Sequence, residues 1–429
     1  MIKLNSTFYF FLHKEHFKLT DKLQIKQKVF TIILPFCGGY FLSYLFRSTN
    51  AVIAPYLVVE FNANAQQLGM LTSAYLFTFA LFQIPLGILL DKYGPRKVQI
   101  IMLVIAGLGS GMFYFGNSLL QLTLARGLIG LGVAGCLMSA FKIITMWYEE
   151  KYWPILFGLV MSSGGLGAVV ASKPLYFIVE DIGWRWAFMI LSICCFLISF
   201  IIWIVTPEKN LDEDKTKPFL ALKEIYSSKI FWKVAPLAGI SGGTGLAIQG
   251  LWAGEWLRDV ANLNQTDTTN MLLVLNLSLL FGMFFTGFIP NLFKKLNLSQ
   301  INLYFYITLL LLSGHAILTF EILPNSAIPW ILIGISSNGA ILAYSWINSQ
   351  FPLSYAGRAS TALNLSLFLC GFILQYAIGW TINFWERTPE NSYPPEAYSS
   401  AFGILLCLQI ICVGIFLTLK TEKKIHLNE

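Results

Sequence analysis

Four cations lie where the surrounding chain is almost wholly apolar: Arg47, Arg126, Lys142 and Lys173. A charge within a segment that crosses hydrocarbon is costly, so such residues default to a functional reading. Tyr40, Tyr44 and Arg47 are spaced i, i+4 and i+7, which puts all three on one helix face. A planar guanidinium suits a carboxylate or phosphate, and two phenols beside it add hydrogen bonds and shape. Arg47 is therefore the leading candidate for a ligand contact; the plainer alternative is that it snorkels to a membrane surface. None of the 22 Asp and Glu residues falls in the middle of an apolar stretch. The charge left inside is wholly positive, and a cavity lined with it should attract an anion.

The other polar residues in apolar stretches are weaker candidates. Lys142 lies close enough to the end of its stretch either to snorkel or to reach a central ligand, and the second role is taken here. Arg126 is 16 residues earlier on the same helix, about 24 Å along the axis and some 160° around it. The two cannot serve one small ligand together, so Arg126 is read as bracing helices or coupling their motion. Gln249, Trp252, Glu255 and Trp256 follow at helical spacing after Gly242-Gly243-Thr244-Gly245. Gln249 and Trp252 join the ligand candidates, and Glu255 is a rim residue. Asn364 is a possible hydrogen-bond donor to ligand or a brace between helices. Lys173, beside Pro174, is expected to snorkel, and His315 to pack.

Composition explains why these residues stand out. Of 429 residues, 56% are hydrophobic and 12% charged, about half the roughly 25% of a soluble chain. A soluble fold could not hide that much apolar surface. Stretches of about 20 apolar residues, each able to cross a bilayer as a helix, recur at 29–57, 67–90, 98–116, 119–147, 154–178, 185–205, 231–254, 268–290, 299–320, 328–348, 359–385 and 399–419. The short alternating segments of a membrane β-barrel are missing. The chain is thus expected to be an all-α polytopic membrane protein with twelve spans. With both termini inside, 22 of the 29 Lys and Arg residues lie in inner segments and three in outer loops. That asymmetry follows the positive-inside rule. It attributes the net charge of +7 to topology and not to nucleic-acid binding. All seven cysteines fall inside spans, without metal-ligand spacing. Trp184, Trp186, Trp256 and Trp385 at outer span ends, and Trp147 and Trp153 at the inner boundary, are read as interfacial anchors.

The longest polar interruption, Pro207 to Lys217, divides the spans six and six. The expected organisation is a cytoplasmic tail at 1–28, a six-helix bundle at 29–205, a cytoplasmic loop at 206–230, a second bundle at 231–419 and a short tail at 420–429. Weak internal symmetry supports the division. Gly87-Ile-Leu-Leu-Asp91-Lys92-Tyr93-Gly94-Pro95-Arg96-Lys97 ends the second span, and Gly287-Phe-Ile-Pro-Asn291 with Lys294-Lys295 ends the eighth. Gly158 opens the fifth span as Gly357-Arg358 opens the eleventh. Paired repeats around a central pathway are the pattern of alternating-access carriers.

Gly87 to Lys97 resembles the loop signature of the major facilitator superfamily, and Arg126-Gly127-Leu-Ile-Gly130-Leu-Gly132 resembles its fourth-span motif. The resemblance implies twelve helices in two pseudo-symmetric bundles. It assigns Gly87, Asp91, Gly94, Arg96, Lys97 and Arg126 to a conformational latch. Gly87 would allow a close helix approach, and Asp91 would meet a helix N-terminus, with Arg358 as the side-chain partner that latches the two halves while the pathway faces outward. Gly39 to Leu57, with Tyr40, Tyr44 and Arg47, resembles the first span of the organophosphate:phosphate antiporters. That resemblance implies anion binding by Arg47. The seventh-span arginine of those antiporters has no counterpart; Gln249 and Trp252 occupy its region.

The function expected from the sequence is transport of a small organic anion, bearing carboxylate or phosphate, by alternating access. Exchange or facilitated movement is favoured over carboxylate-based proton symport. Proton-coupled transport of an amino acid or short peptide is the alternative, and a solute sensor without transport is a distant third. The expected setting is a bacterial inner membrane. The expected partners are a small-molecule substrate and the bilayer, with no cofactor, no nucleic acid, no enzymatic chemistry and a monomeric state.

Overall fold

Hydrocarbon offers backbone groups no water, so an apolar chain of this kind closes its hydrogen bonds within helices. A computed structural model describes residues 29–208, 218–294, 299–351, 353–389 and 391–418, and among these the regular structure is helical throughout. The helices of the first half are α1 (Leu34–Ser48), α2 (Asn50–Phe61), α3 (Ala65–Phe115), α4 (Leu119–Val133), α5 (Cys136–Trp147), α6 (Trp153–Val170), α7 (Lys173–Ile182) and α8 (Trp184–Val205). The second half contributes α9 (Pro218–Ser227), α10 (Lys229–Ala247), α11 (Ala253–Asp259), α12 (Gln265–Lys294), α13 (Gln300–Thr319), α14 (Ile328–Ser336), α15 (Ala340–Asn348), α16 (Leu353–Ile382) and α17 (Pro395–Thr418). The side chains of the second-half motif copy, Gly287 to Lys295, and of Gly357 lie outside the described residues, as do both tails.

Among the described residues, ten helices are long and apolar enough to cross a membrane. One of them, α3, has 51 residues and would be about 77 Å long if straight. It reverses at Gly94, where φ is 78°, a left-handed conformation glycine adopts without strain. The interval 91–97 is therefore no open loop. Helical backbone runs into and out of a single glycine, with Pro95 starting the return, and α3 supplies two spans. A further rod, α10 and α11 joined by a π-helical turn at Ile248–Trp252, brings the spans to the expected twelve.

Local signals set the boundaries. Asn64 caps α3 by accepting from the Gln67 amide at 2.8 Å, while the Gln67 side chain accepts from the Asn64 amide at 2.9 Å. Thr49 donates to the Leu45 carbonyl at 2.6 Å where α1 passes into α2. The basic end of the bundle carries Lys92, Arg96 and Lys97 at the α3 turn; the opposite, far end carries the α2–α3 and α16–α17 connections. Trp184 and Trp256 depart from the expected interfacial role, being 5% and 1% exposed. Trp184 turns inward to donate to Glu60 at 3.0 Å, and Trp256 stacks edge-on against Trp330 at 5.6 Å.

Glycines in α4 let it lie directly on α3. A Cβ on Gly132 would fall 2.3 Å from the Ala106 nitrogen and 2.6 Å from the Met102 carbonyl oxygen. Gly87 differs: a Cβ there would meet nothing within 4 Å. The close approach expected of Gly87 is thus not made in this conformation. Gly132→Val should lower unfolding stability by about 1–3 kcal/mol through overpacking against backbone, while Gly87→Ala should leave the detergent-solubilised melting temperature within about 2 °C. Thermal unfolding of the two variants beside the parent checks both; equal destabilisation would contradict the packing described.

Candidate functional site

The first-span face carries the expected trio. Tyr40 and Tyr44 meet edge to face at 5.2 Å, and the Arg47 guanidinium carbon sits 4.2 Å from the Tyr44 ring centre. From the second half, Phe368 of α16 approaches the same guanidinium at 5.1 Å and itself stacks on Phe79 at 4.0 Å. Arg47 is 7% exposed and Arg126 only 1%. Neither one snorkels.

The two arginines line one small, partly open cavity, together with Thr72, Tyr75, Leu76, Leu246, Gly250 and Gln375. Arg126 donates to the Phe46 carbonyl at 2.8 Å, one residue before Arg47 on the same helix. Its guanidinium also faces the rings of Phe113 and Phe188 at 5.3 and 5.2 Å. Its Nε and second Nη, and the Arg47 Nε, are buried without a hydrogen-bond partner. Among the described residues no carboxylate forms an ion pair with either arginine. Unanswered donors on two cations, at one such cavity, suit a carboxylate, sulfonate or phosphate: each brings several acceptor oxygens and a compensating charge. Tyr75 completes this wall, its hydroxyl donating to the Ser43 carbonyl at 3.0 Å.

Arg126 thus lines the cavity as well as bracing the first span, and Lys142 lies elsewhere. Lys142 lies at the basic end, where its ammonium pairs with Asp91 at 2.8 Å with both side chains over a third exposed. A long, flexible ammonium near a helix end reaches the nearest carboxylate in water more readily than a buried cavity. In this arrangement the ion pair of Asp91 is with Lys142, from its own half, whereas the Asp91–Arg358 bridge is an expectation for a pathway that faces outward. Arg358 stands at the start of α16, partly buried. Arg96 and Lys97 hold the α3 turn to the end of α8 through Glu208, at 3.7 and 2.5 Å, and Arg96 also donates to the Trp203 carbonyl. The Lys97 hydrogen bond keeps the Glu208 carboxyl below its ordinary pKa.

The remaining ligand candidates stand one layer behind the cavity. Gln249 donates to Asn276 at 2.9 Å. Trp252 is fully buried and donates to Gln375, within 3.2 Å of its carbonyl. Asn364 donates to Gln83 at 2.9 Å and accepts from Tyr344 at 2.9 Å, a brace across the two halves. Tyr40 turns its hydroxyl toward the Met161 sulfur, 3.8 Å away. Glu255 pairs with Arg258 at the far end, and His315 packs with Gln409 at 3.0 Å. Lys173 does not snorkel; it donates to Asn270 of α12 at 2.5 Å.

Far-end contacts between the halves are numerous. Gln66 donates to Tyr376 at 2.7 Å, the Ala65 amide to Tyr393 at 3.2 Å, and Gln265 to the Val52 carbonyl at 3.2 Å. Arg387 donates to the Ala63 carbonyl, covering the left-handed end of α2 at Asn62.

A bundle of membrane-spanning helices closed over a buried, cation-lined cavity is a polytopic membrane protein built to handle a solute. The family model described as the Major Facilitator Superfamily matches residues 36–375, and the chain belongs to that superfamily, whose members are transporters and not enzymes. A probable sulfoacetate transporter, SauU, of Cupriavidus necator is 32% identical over 171 residues, 39% of this chain and 40% of that protein. The hexuronate transporter of Escherichia coli K12 is 25% identical over 216 residues, 46% of this chain and 50% of its own length. The matched stretches thus span half or less of these curated relatives. Among solved structures, a bacterial homolog of the human lysosomal transporter Spinster matches with a TM-score of 0.72 at 18% identity, over 90% of this chain and 95% of that one. A D-xylose–proton symporter matches with a TM-score of 0.69 at 13% identity, over 92% and 99%. These likenesses support the fold.

Burying a guanidinium with donors unmet is destabilising, and an apolar side chain of similar length often restores stability. Arg126→Met should therefore raise the unfolding stability of the ligand-free protein, by about 1 kcal/mol or more. The check is thermal unfolding in detergent without added anion. A clear drop in melting temperature would mean that Arg126 serves packing alone.

Proposed function

We propose that this protein carries a small organic anion across a bacterial inner membrane by alternating access, with Arg47 and Arg126 as its receptor. The observation that carries the reading is the pair of buried guanidinium groups with unmet donors at one cavity and, among the described residues, no carboxylate paired to them. The curated relatives are named for sulfoacetate, hexuronates and hexose phosphates, all of them anions of small carbon skeletons. Tyr44 and Tyr75 flank the receptor, and Gln375 and Gly250 close it from the second half. Both termini are cytoplasmic on this reading, which makes the basic end the inner one, and the two six-helix bundles rock about the cavity as a monomer. The crowded hydrogen bonds at the far end then belong to a state closed to the outside. The motif residues Gly94, Asp91, Arg96 and Lys97, with Lys142, hold the inner turn of the first bundle rigid while it moves, and Arg358 with Gly87 marks the faces that meet when the inner side closes.

Without an acid among the groups that meet the ligand, the charge that answers the arginines is the solute's own. Exchange or facilitated movement follows. In proteoliposomes loaded with unlabelled sulfoacetate, D-glucuronate or glucose 6-phosphate, the parent should take up the matching labelled anion with the pH gradient collapsed. Arg47→Ala and Arg126→Ala should each slow that uptake about 100-fold, in line with the 2–5 kcal/mol lost when a buried charge contact is cut. Uptake that requires a pH gradient and survives Arg47→Ala would overturn the reading.

A further inference from the structure

The cavity has two unlike walls. Arginines and a tyrosine form the first-half wall; Leu246, Gly250 and Gln375 form the second-half wall. Gly250 stands in the middle of the π-helical turn Ile248–Trp252. A π-turn inserts an extra residue into a helix, and such insertions recur at functional sites. Its flanks are pinned on both sides. Gln249 is tied to Asn276 at 2.9 Å, and Trp252 is fully buried with its indole nitrogen tied to Gln375. Between those anchors Gly250 is held at the cavity wall, beside the backbone of Arg47. An added Cβ would lie 3.5 Å from the Arg47 carbonyl oxygen, 3.6 Å from the Gln375 side-chain oxygen and 3.8 Å from the Thr72 methyl.

These distances separate Gly250 from the glycines that let helices touch. Gly69, Gly254 and Gly379 on the same inter-half surfaces would each bring a Cβ within 3.1 Å of a backbone oxygen. Their lack of a side chain is a packing requirement. At Gly250 a methyl meets only ordinary van der Waals neighbours, so packing does not demand glycine there. What a methyl would take is space in the cavity that Gly250 lines together with Arg47 and Arg126.

We infer that Gly250 sets the size of anion accepted at the Arg47–Arg126 receptor, its missing side chain leaving room for the carbon skeleton that trails behind the charged group. The inference rests on the anion reading above and adds a specificity determinant to it. The charged group fixes one end of the ligand on the arginines, and the π-turn limits how much carbon fits between them and the second half. An anion with a two-carbon skeleton needs less of that space than a six-carbon one.

The test measures binding of sulfoacetate and of D-glucuronate to the purified full-length protein, for the parent, Gly250→Ala, Gly250→Val and Arg47→Ala. Gly250→Ala should keep the parent's melting temperature within about 2 °C. It should raise the ratio of the glucuronate Kd to the sulfoacetate Kd at least tenfold. Gly250→Val, with two further carbons at the same point, should weaken sulfoacetate at least tenfold as well. An unchanged ratio in Gly250→Ala, or sulfoacetate binding undiminished in Gly250→Val, overturns the inference while leaving the receptor reading intact. A parent that binds neither anion, or binds them equally well as Arg47→Ala, removes the receptor reading and this inference with it.

Discussion

A guanidinium stays protonated in any protein environment, so Arg47 and Arg126 enter the bundle as charges and must be accommodated as charges. Water could do this at a membrane surface, and a carboxylate could do it in the interior. Both groups are buried here, and among the described residues no carboxylate pairs with either. The fold instead surrounds the two groups with weaker partners: the Phe46 carbonyl, and the faces of Tyr44, Phe368, Phe113 and Phe188. Ring faces attract a cation without satisfying its N–H groups. Partial accommodation leaves the arginines in place and still in want of an anion, which is the condition a receptor needs and an ordinary core avoids.

Several other features follow from holding two such groups at one point. Arg47 and Arg126 come from different helices of the same half, and the contact of Arg126 with the backbone of α1 fixes their relation. Close packing of α4 on α3, which the Gly132 contact requires, sets the depth at which Arg126 stands. On the other side, Gly164 of α6 leaves the space that Tyr40 and Tyr44 fill, since a Cβ there would lie 2.5 Å from the Tyr40 ring. The described residues that the second half brings to the cavity, Leu246, Gly250 and Gln375, carry no charge. It contributes a wall whose position relative to the arginines is set by the Gln83–Asn364 brace and by the far-end hydrogen bonds.

The twelve spans and the helix face shared by Tyr40, Tyr44 and Arg47 were legible in the sequence because each rests on a local property: hydropathy, and spacing on one helix face. The turn at Gly94 was legible as a position, though not as a single-residue reversal, since that depends on one backbone angle. Lys142 and Arg126 show where such reading stops. Helical geometry put them on opposite sides of one helix, and it could not say which side faced the centre. The pairing of Lys142 with Asp91 depends on a packing register between α3 and α5 that no single-helix pattern encodes. Once Lys142 is drawn to the basic end, the central side belongs to Arg126. Its neighbours Ala125, Gly127, Gly130 and Gly132 were a usable hint, because so small a surface marks a face pressed against other helices. Gly250 was invisible for a related reason: a π-turn shifts every later residue around the helix axis, and ideal spacing from Gln249 to Trp252 does not foresee it.

The sign of the buried charge also bears on how a carrier of this design would cycle. On the proposed reading, an empty receptor holds two cations with unmet donors, and closing both ends over it removes the water that would otherwise hydrate them. Coulomb interactions and desolvation penalties both grow as water leaves, so the empty closed state is disfavoured and the anion-loaded closed state is relieved. Passage between the two faces is then easier with anion bound than without it, whichever face the carrier starts from. A protonatable acid beside the arginines would offer another escape, by compensating the charge when the site is empty and releasing it on protonation. The cavity lining of Thr72, Tyr75, Leu76, Leu246, Gly250 and Gln375 contains no such acid. The same want of a carboxylate that selects for an anionic solute therefore also ties movement of the carrier to the presence of that solute, which is the physical requirement for exchange.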